Sequence, residues 1–213
     1  DFIGFPDDNF AVDKRRIKEF PVVFKEYGLD NVRWGTHTRM DEADARLHDM
    51  AESGCVYIGF GAESAAEETL KNMKKGGFIL RNGLTDMKVN GHTYSFPTTM
   101  VNAVKNCRDT AIHGNCTWIM AYPGETLEDL KTSVAFIAWQ QDFWTKGCTP
   151  GSPEYEMMRS GVNRKMFTAT AYPGTDMWKV VKPQLQEHFD ISFNALGQPC
   201  LLYTSDAADD LLC

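Results

Sequence analysis

The chain has no long apolar run, no excess of basic charge and no closely spaced cysteines, and each absence narrows what it can be. Without a stretch of 18 or so apolar residues, it lacks a segment able to cross a bilayer as a helix. Lys and Arg number 22 against 29 Asp and Glu, a net charge of −7, which argues against nucleic acid as the main partner. The amino end, Asp1-Phe2-Ile3-Gly4-Phe5, has neither the basic nor the apolar region of a secretory signal and reads as the inside of a strand, so a fragment of a longer chain is expected. Six cysteines form no CxxC pair; neither a zinc site nor a disulfide framework is expected, and a reducing cytoplasm fits best. The five histidines (His37, His48, His92, His113, His188) have no ligand spacing. What remains is 213 residues, 43% hydrophobic and 24% charged, enough to bury a core as one globular domain.

The stretch Cys200-Leu-Leu-Tyr-Thr-Ser-Asp-Ala-Ala-Asp209 resembles the conceptual translation of a transposase adapter used in preparing DNA sequencing libraries. That resemblance implies an artefactual tail over 200–213 and a natural domain over 1–199. Setting the tail aside removes three of the 29 acidic residues (Asp206, Asp209, Asp210) against 22 basic ones and leaves a charge of −4. It also leaves four cysteines, Cys55, Cys107, Cys116 and Cys148, at long irregular intervals.

Short apolar strands alternate with amphipathic helices. Phe2 to Phe5 reads as a strand, followed by a helix over 13–27 with Gly28 at its carboxyl cap. A strand over 31–36, a helix over 41–53 stopped by Gly54, a strand over 56–60 and a helix over 64–73 opened by Ser64 follow. The Gly- and Asn-rich stretch 74–96 reads as an insertion or loop. Then come a helix over 98–112, a strand over 116–121, a helix over 127–141, a second polar insertion over 145–163, a strand over 166–171, and a helix from Thr175 bent at Pro183. Five strands joined by helical crossovers predict a parallel sheet, either open and doubly wound or a complete or partial (β/α) barrel. In all of these, ligands bind at the carboxyl ends of the strands.

The residues at those ends are therefore the informative ones. They are Pro6-Asp7-Asp8-Asn9-Phe10, Thr36-His37-Thr38-Arg39, Gly61-Ala62-Glu63-Ser64, Tyr122-Pro123-Gly124-Glu125-Thr126 and Tyr172-Pro173-Gly174-Thr175. Glycine lets a backbone approach a ligand closely, and Asp and Glu accept from hydroxyl or ammonium groups. Arg39, the one cation at a strand end, suits a carboxylate. Each block alone is equally a turn or a helix cap.

Taken in order, the blocks resemble the radical SAM superfamily, in the branch whose members often carry a preceding cobalamin-binding domain. The resemblance runs through Asp7-Asp8-Asn9-Phe10, Arg39-Met40-Asp41, Met50, Gly54-Cys55, Gly59-Phe60-Gly61-Ala62-Glu63-Ser64, Leu70, Met73-Lys74, Pro123-Gly124-Glu125-Thr126 and Pro173-Gly174-Thr175, from about Asp1 to Trp178. Ala121 departs from it, standing where a glycine is common. So does the missing CxxxCxxC loop, whose three thiolates hold the family's 4Fe-4S cluster. The resemblance implies a partial TIM-like (β/α) barrel with its first strand and cluster ligands missing, and a chain inactive by itself.

In a complete enzyme it implies reductive cleavage of S-adenosylmethionine for radical chemistry or methyl transfer on a small molecule, with a flavodoxin or ferredoxin as electron donor and cobalamin as a further cofactor to consider. By the same resemblance, Asp7, Asp8 and Asn9 lie where the methionine ammonium binds, Glu63 and Ser64, beside Gly61, at the ribose, and Tyr122 and Pro123 at the adenine. Tyr172 falls further round the mouth, and Arg39 faces the methionine carboxylate.

Two other readings stay open. A metal-dependent barrel hydrolase would use Asp7, Asp8 and His37, but needs a second strand-end histidine. A non-catalytic homologue would bind a nucleoside-like ligand or a protein partner without a cluster. Trp118, Phe136, Trp139, Phe143 and Trp144 are expected to pack between helix and sheet, and Lys14-Arg15-Arg16 to form a solvated face.

Overall fold

The computed structural model describes residues 1–189, 192–193 and 199–200. The chain divides into two compact units, Asp1–Thr168 and Ala169–Cys213. In the first, β1 (Phe2–Gly4), α1 (Lys14–Glu26), β2 (Arg33–Thr38), α2 (Arg46–Glu52), β3 (Cys55–Glu63), α3 (Glu67–Asn72) and α4 (Gly76–Ile79) follow one another. Then come β4 (Leu84–Val89), β5 (His92–Pro97), α5 (Thr98–Asp109), β6 (His113–Met120), α6 (Leu127–Thr145), α7 (Pro153–Ser160) and β7 (Met166–Thr168).

Five strands form one sheet in the order β1-β2-β3-β6-β7, and every neighbouring pair is parallel. The result is the expected partial (β/α) barrel. Side chains alternate across the sheet. Trp34, Thr36 and Thr38 on β2, Ile58, Phe60 and Ala62 on β3, and Cys116 and Trp118 on β6 are buried in the core. Gly35 and His37, Tyr57, Gly59 and Gly61, and Asn115 and Thr117 occupy the other face.

The core has two aromatic centres. Trp34 meets Phe5, Phe10 and Phe20 at ring separations of 5.4, 5.0 and 5.6 Å, and its indole N–H donates to the Ser53 carbonyl (2.9 Å). Phe136 meets Phe96, Trp118 and Trp139 at 5.1, 5.6 and 5.2 Å, so the aromatic residues expected between helix and sheet do pack there. Helix starts follow capping chemistry. Asp13 accepts from the Arg15 and Arg16 N–H groups at the head of α1, and these bonds, the Arg16 one foremost, hold its carboxyl below the ordinary range. Thr126 and Asp129 form a reciprocal box at the head of α6.

Several expectations need correction. The stretch 74–96 is ordered: α4 leads into the antiparallel pair β4–β5, closed by Asn90 (φ 49°) and Gly91 (φ 83°). The second insertion contains α7, opened by Ser152 with Pro153 in its first turn. The helix expected over 41–53 is a 3₁₀ turn at Met40–Glu42 followed by the shorter α2. β3 runs three residues past the expected end, so Gly61 and Glu63 belong to the strand. Ser64 does not open α3, whose cap position is Ala66. Arg16 is no solvated cation: it donates to the Phe10 carbonyl (2.7 Å), pairs with Asp7 (3.2 Å) and lies 4.2 Å over the Phe10 ring.

The second unit contains α8 (Asp176–Phe189), with Pro183 inside it, and an antiparallel pair of β8 (Ser192–Phe193) with β9 (Pro199–Cys200). Trp178 meets Phe193 edge-on at 4.9 Å. Cys200 closes β9; the rest of the stretch read as a tail, 201–213, lies outside the described residues. Among the described residues no helix is long and apolar enough to cross a membrane.

Candidate functional site

Parallel pairing places the carboxyl ends of β1, β2, β3 and β6 side by side, and hydrogen bonds link the first two directly. The Asn9 side-chain oxygen accepts from Thr38 Oγ1 (2.7 Å) and from the Arg39 N–H (3.2 Å), while Thr38 Oγ1 accepts from the Ala11 N–H (3.2 Å). Asn9 therefore ties the end of β1 to that of β2. Asp7 is turned to Arg16, and Asp8 is exposed.

Arg39 leaves β2 with its Nε on Asp41 (2.9 Å) and its guanidinium 3.8 Å over the Phe78 ring. Asp41 is buried, so this pairing fixes the arginine's direction. Arg39, Asp41, Gly61, Lys75 and Phe78 line a cavity of about 200 Å³. At its edge the Lys75 ammonium pairs with Glu63 Oε1. Glu63 has φ 65°, in the left-handed region that side chains avoid. Its neighbour Ser64 points the other way: fully buried, its hydroxyl meets Ser133 Oγ (3.1 Å) and accepts from the Ala66 N–H (3.1 Å).

After β6, the Tyr122 hydroxyl donates to the Asn72 carbonyl (3.4 Å), joining this loop to the end of α3. Pro123 sits in the same turn. Glu125 accepts from the Ala121 N–H (2.5 Å), yet burial pushes its carboxyl above the ordinary range. Tyr172 belongs to the second unit, where its carbonyl accepts from the Thr175 hydroxyl (2.7 Å) ahead of α8.

Of the residues singled out in the sequence, the structure thus links Asn9, Arg39, Gly61 and Glu63, and turns Asp7 and Ser64 to other partners. Sequence reasoning missed Lys75 and Phe78. It also missed the polar strip beside them. Asn115 donates to the Tyr57 hydroxyl (3.1 Å), its own Oδ1 is buried without a partner among the described residues, and Thr117 donates to the Phe60 carbonyl (3.2 Å). The signal was alternation in Gly35-x-His37 and Tyr57-x-Gly59-x-Gly61, positions that share one face. His37 lies against Gly59, in the space a Cβ there would fill.

Cys55, Cys107 and Cys116 are buried and free. Burial pushes the Cys55 and Cys116 thiols up to about 12, and Cys107 well above its usual value. Among the described residues no three His, Cys, Asp or Glu side chains are placed to hold a metal ion.

As a fold, this curled parallel half-barrel matches solved structures of S-adenosylmethionine radical enzymes. The structure of OxsB, a cobalamin-dependent S-adenosylmethionine radical enzyme with aqua-cobalamin bound, aligns with a TM-score of 0.58 over 93% of this chain and 31% of its own, at 12% identity. TsrM from Kitasatospora setae, a radical S-adenosylmethionine methyltransferase, aligns with a TM-score of 0.47 over 64% of this chain and 24% of its own, at 18% identity. In sequence, the chain is 26% identical over 179 residues to an uncharacterized methyltransferase of Pyrococcus horikoshii, covering 83% of this chain. It spans 30% of that relative's length. No protein-family model matches.

Proposed function

We propose that this chain is the S-adenosylmethionine-binding part of a radical SAM enzyme acting on a small molecule, by methyl transfer or another radical step. The observation that carries the reading is the cavity at the carboxyl ends of β2 and β3. Arg39, directed by Asp41, and Gly61 line it, and Glu63 is held at its edge by Lys75. A cation for a carboxylate and an acceptor for hydroxyls, on adjacent strand ends, suit an amino-acid nucleoside. Glu63 receives the ribose hydroxyls and Arg39 the methionine carboxylate. Asn9 orients the Arg39 backbone, and the exposed Asp8 borders the ammonium. Tyr122 and Pro123 flank the adenine. Ser64 supports the turn from behind.

The described residues do not fit a 4Fe-4S cluster. The three buried thiols lie in the core and are held protonated, whereas cluster ligation requires thiolates. We place the cluster's cysteine loop in sequence outside these 213 residues, together with the cobalamin site and the docking surface for a flavodoxin- or ferredoxin-like electron donor. That the chain spans 30% of its Pyrococcus relative supports this division. A non-catalytic barrel binding a nucleoside-like ligand or a partner protein would use the same strand-end cavity, and cluster loading of the full-length protein separates the two.

Titration calorimetry of this chain with S-adenosylmethionine tests the site. Glu63→Ala is expected to weaken binding by about 1–3 kcal/mol, the loss of hydrogen bonds to a charged acceptor. Equal binding by the variant removes Glu63 from the site, and no binding by the unmodified chain overturns the reading.

A further inference from the structure

Glu63 is held in one orientation by its surroundings. Its backbone is in the left-handed region (φ 65°), and its carboxylate turns back over Gly61, with Oε1 2.8 Å from where a Cβ at that glycine would stand. Lys75 Nζ meets the same Oε1. The other oxygen, Oε2, accepts no hydrogen bond among the described residues, although the side chain is only 13% exposed. Lys75 is itself anchored: it follows α3, and its N–H donates to the Leu70 carbonyl (2.9 Å). An acceptor with one oxygen neutralised and the other presented loses little freedom when a donor arrives.

We propose that Lys75 is a positioning residue, with Gly61 as its necessary complement. Lys75 occupies Oε1 and aims Oε2 at paired hydroxyls, which makes the site selective for ribonucleosides. This rests on the proposed function and deepens it. Lys75 is not a competitor that the ligand must displace, because it uses a different oxygen. Nor does it need the ligand's carboxylate.

The test is titration calorimetry of the whole chain with adenosine, which carries the ribose hydroxyls but no carboxylate, alongside S-adenosylmethionine. Lys75→Met is expected to weaken adenosine binding about tenfold, the scale of one charge-assisted hydrogen bond, and Lys75→Arg to restore it to within about twofold. Gly61→Ala, which displaces the carboxylate without touching a charge, is expected to cost a similar factor. In a Glu63→Ala background, Lys75→Met is expected to change nothing further, an outcome that a merely structural lysine would not give.

Unchanged or tighter adenosine binding by Lys75→Met overturns the proposal. So does a loss confined to S-adenosylmethionine, which would place Lys75 on the carboxylate. If the unmodified chain binds neither compound, the proposed function itself fails, and this inference with it.

Discussion

At Ala121 the backbone takes φ 60°, a conformation that costs an L-residue roughly 1–2 kcal/mol and glycine almost nothing. Glycine is the residue that this turn geometry favours. Ala121→Gly is accordingly expected to stabilise the chain by about 0.5–1 kcal/mol, after glycine's extra unfolded-state entropy is allowed for, read as a higher urea midpoint. His113 offers a pH test. Its ring lies against Gly161 and 5.3 Å from the Trp144 ring, and burial lowers its pKa below the ordinary 6.5. The folded state therefore prefers the neutral imidazole. Above about pH 6.5 the histidine carries no penalty. Below that, the unfolded chain takes up the proton first, and stability falls until the folded pKa is passed. Urea titrations at several pH values should show wild type losing ground to His113→Phe as the pH drops; parallel curves would mean the ring is solvated.

Among the elements, the β4–β5 pair shows what local chemistry decides. Asn90 and Gly91 both take positive φ, the requirement of a two-residue type I′ turn, and β4 ahead of them alternates in exposure. Gly91→Val forces a β-branched residue into the left-handed region and is expected to cost about 1–3 kcal/mol, seen as a lower melting temperature. That dipeptide was in plain view, yet the surrounding glycines and asparagines read as loop, because composition is averaged over a window and a turn is made by two residues. Ser152-Pro153 at the head of α7 was hidden in the same way. The parallel sheet was legible because hydrophobic runs of strand length alternate with helical periods, and the strand ends then located Asn9, Arg39, Gly61 and Glu63. Ser64 was misread because its hydroxyl serves Ser133, 69 residues away, and no local pattern records that. The Lys75–Glu63 pair depends on how the turn after β3 folds back across twelve residues, which is tertiary information.

For the whole molecule, an open sheet leaves edges. Among the described residues β1 pairs with β2 alone, and Phe2 and Ile3 are 61% and 42% exposed. A bare apolar edge strand invites pairing with another chain. The chain is expected to self-associate with rising concentration, and Ile3→Lys to shift it towards monomer in sedimentation velocity; equal profiles would show the edge to be harmless. Behind that sheet, Cys55, Cys107 and Cys116 stand on β3, α5 and β6 with their thiols protonated and sealed from solvent. A thiol in that condition does not alkylate until water and base reach it. The three sulfurs are thus built-in clocks: the rate at which each takes up an alkylating label counts how often its own element opens, and three equal rates would mean that strand, helix and strand come apart as one cooperative unit.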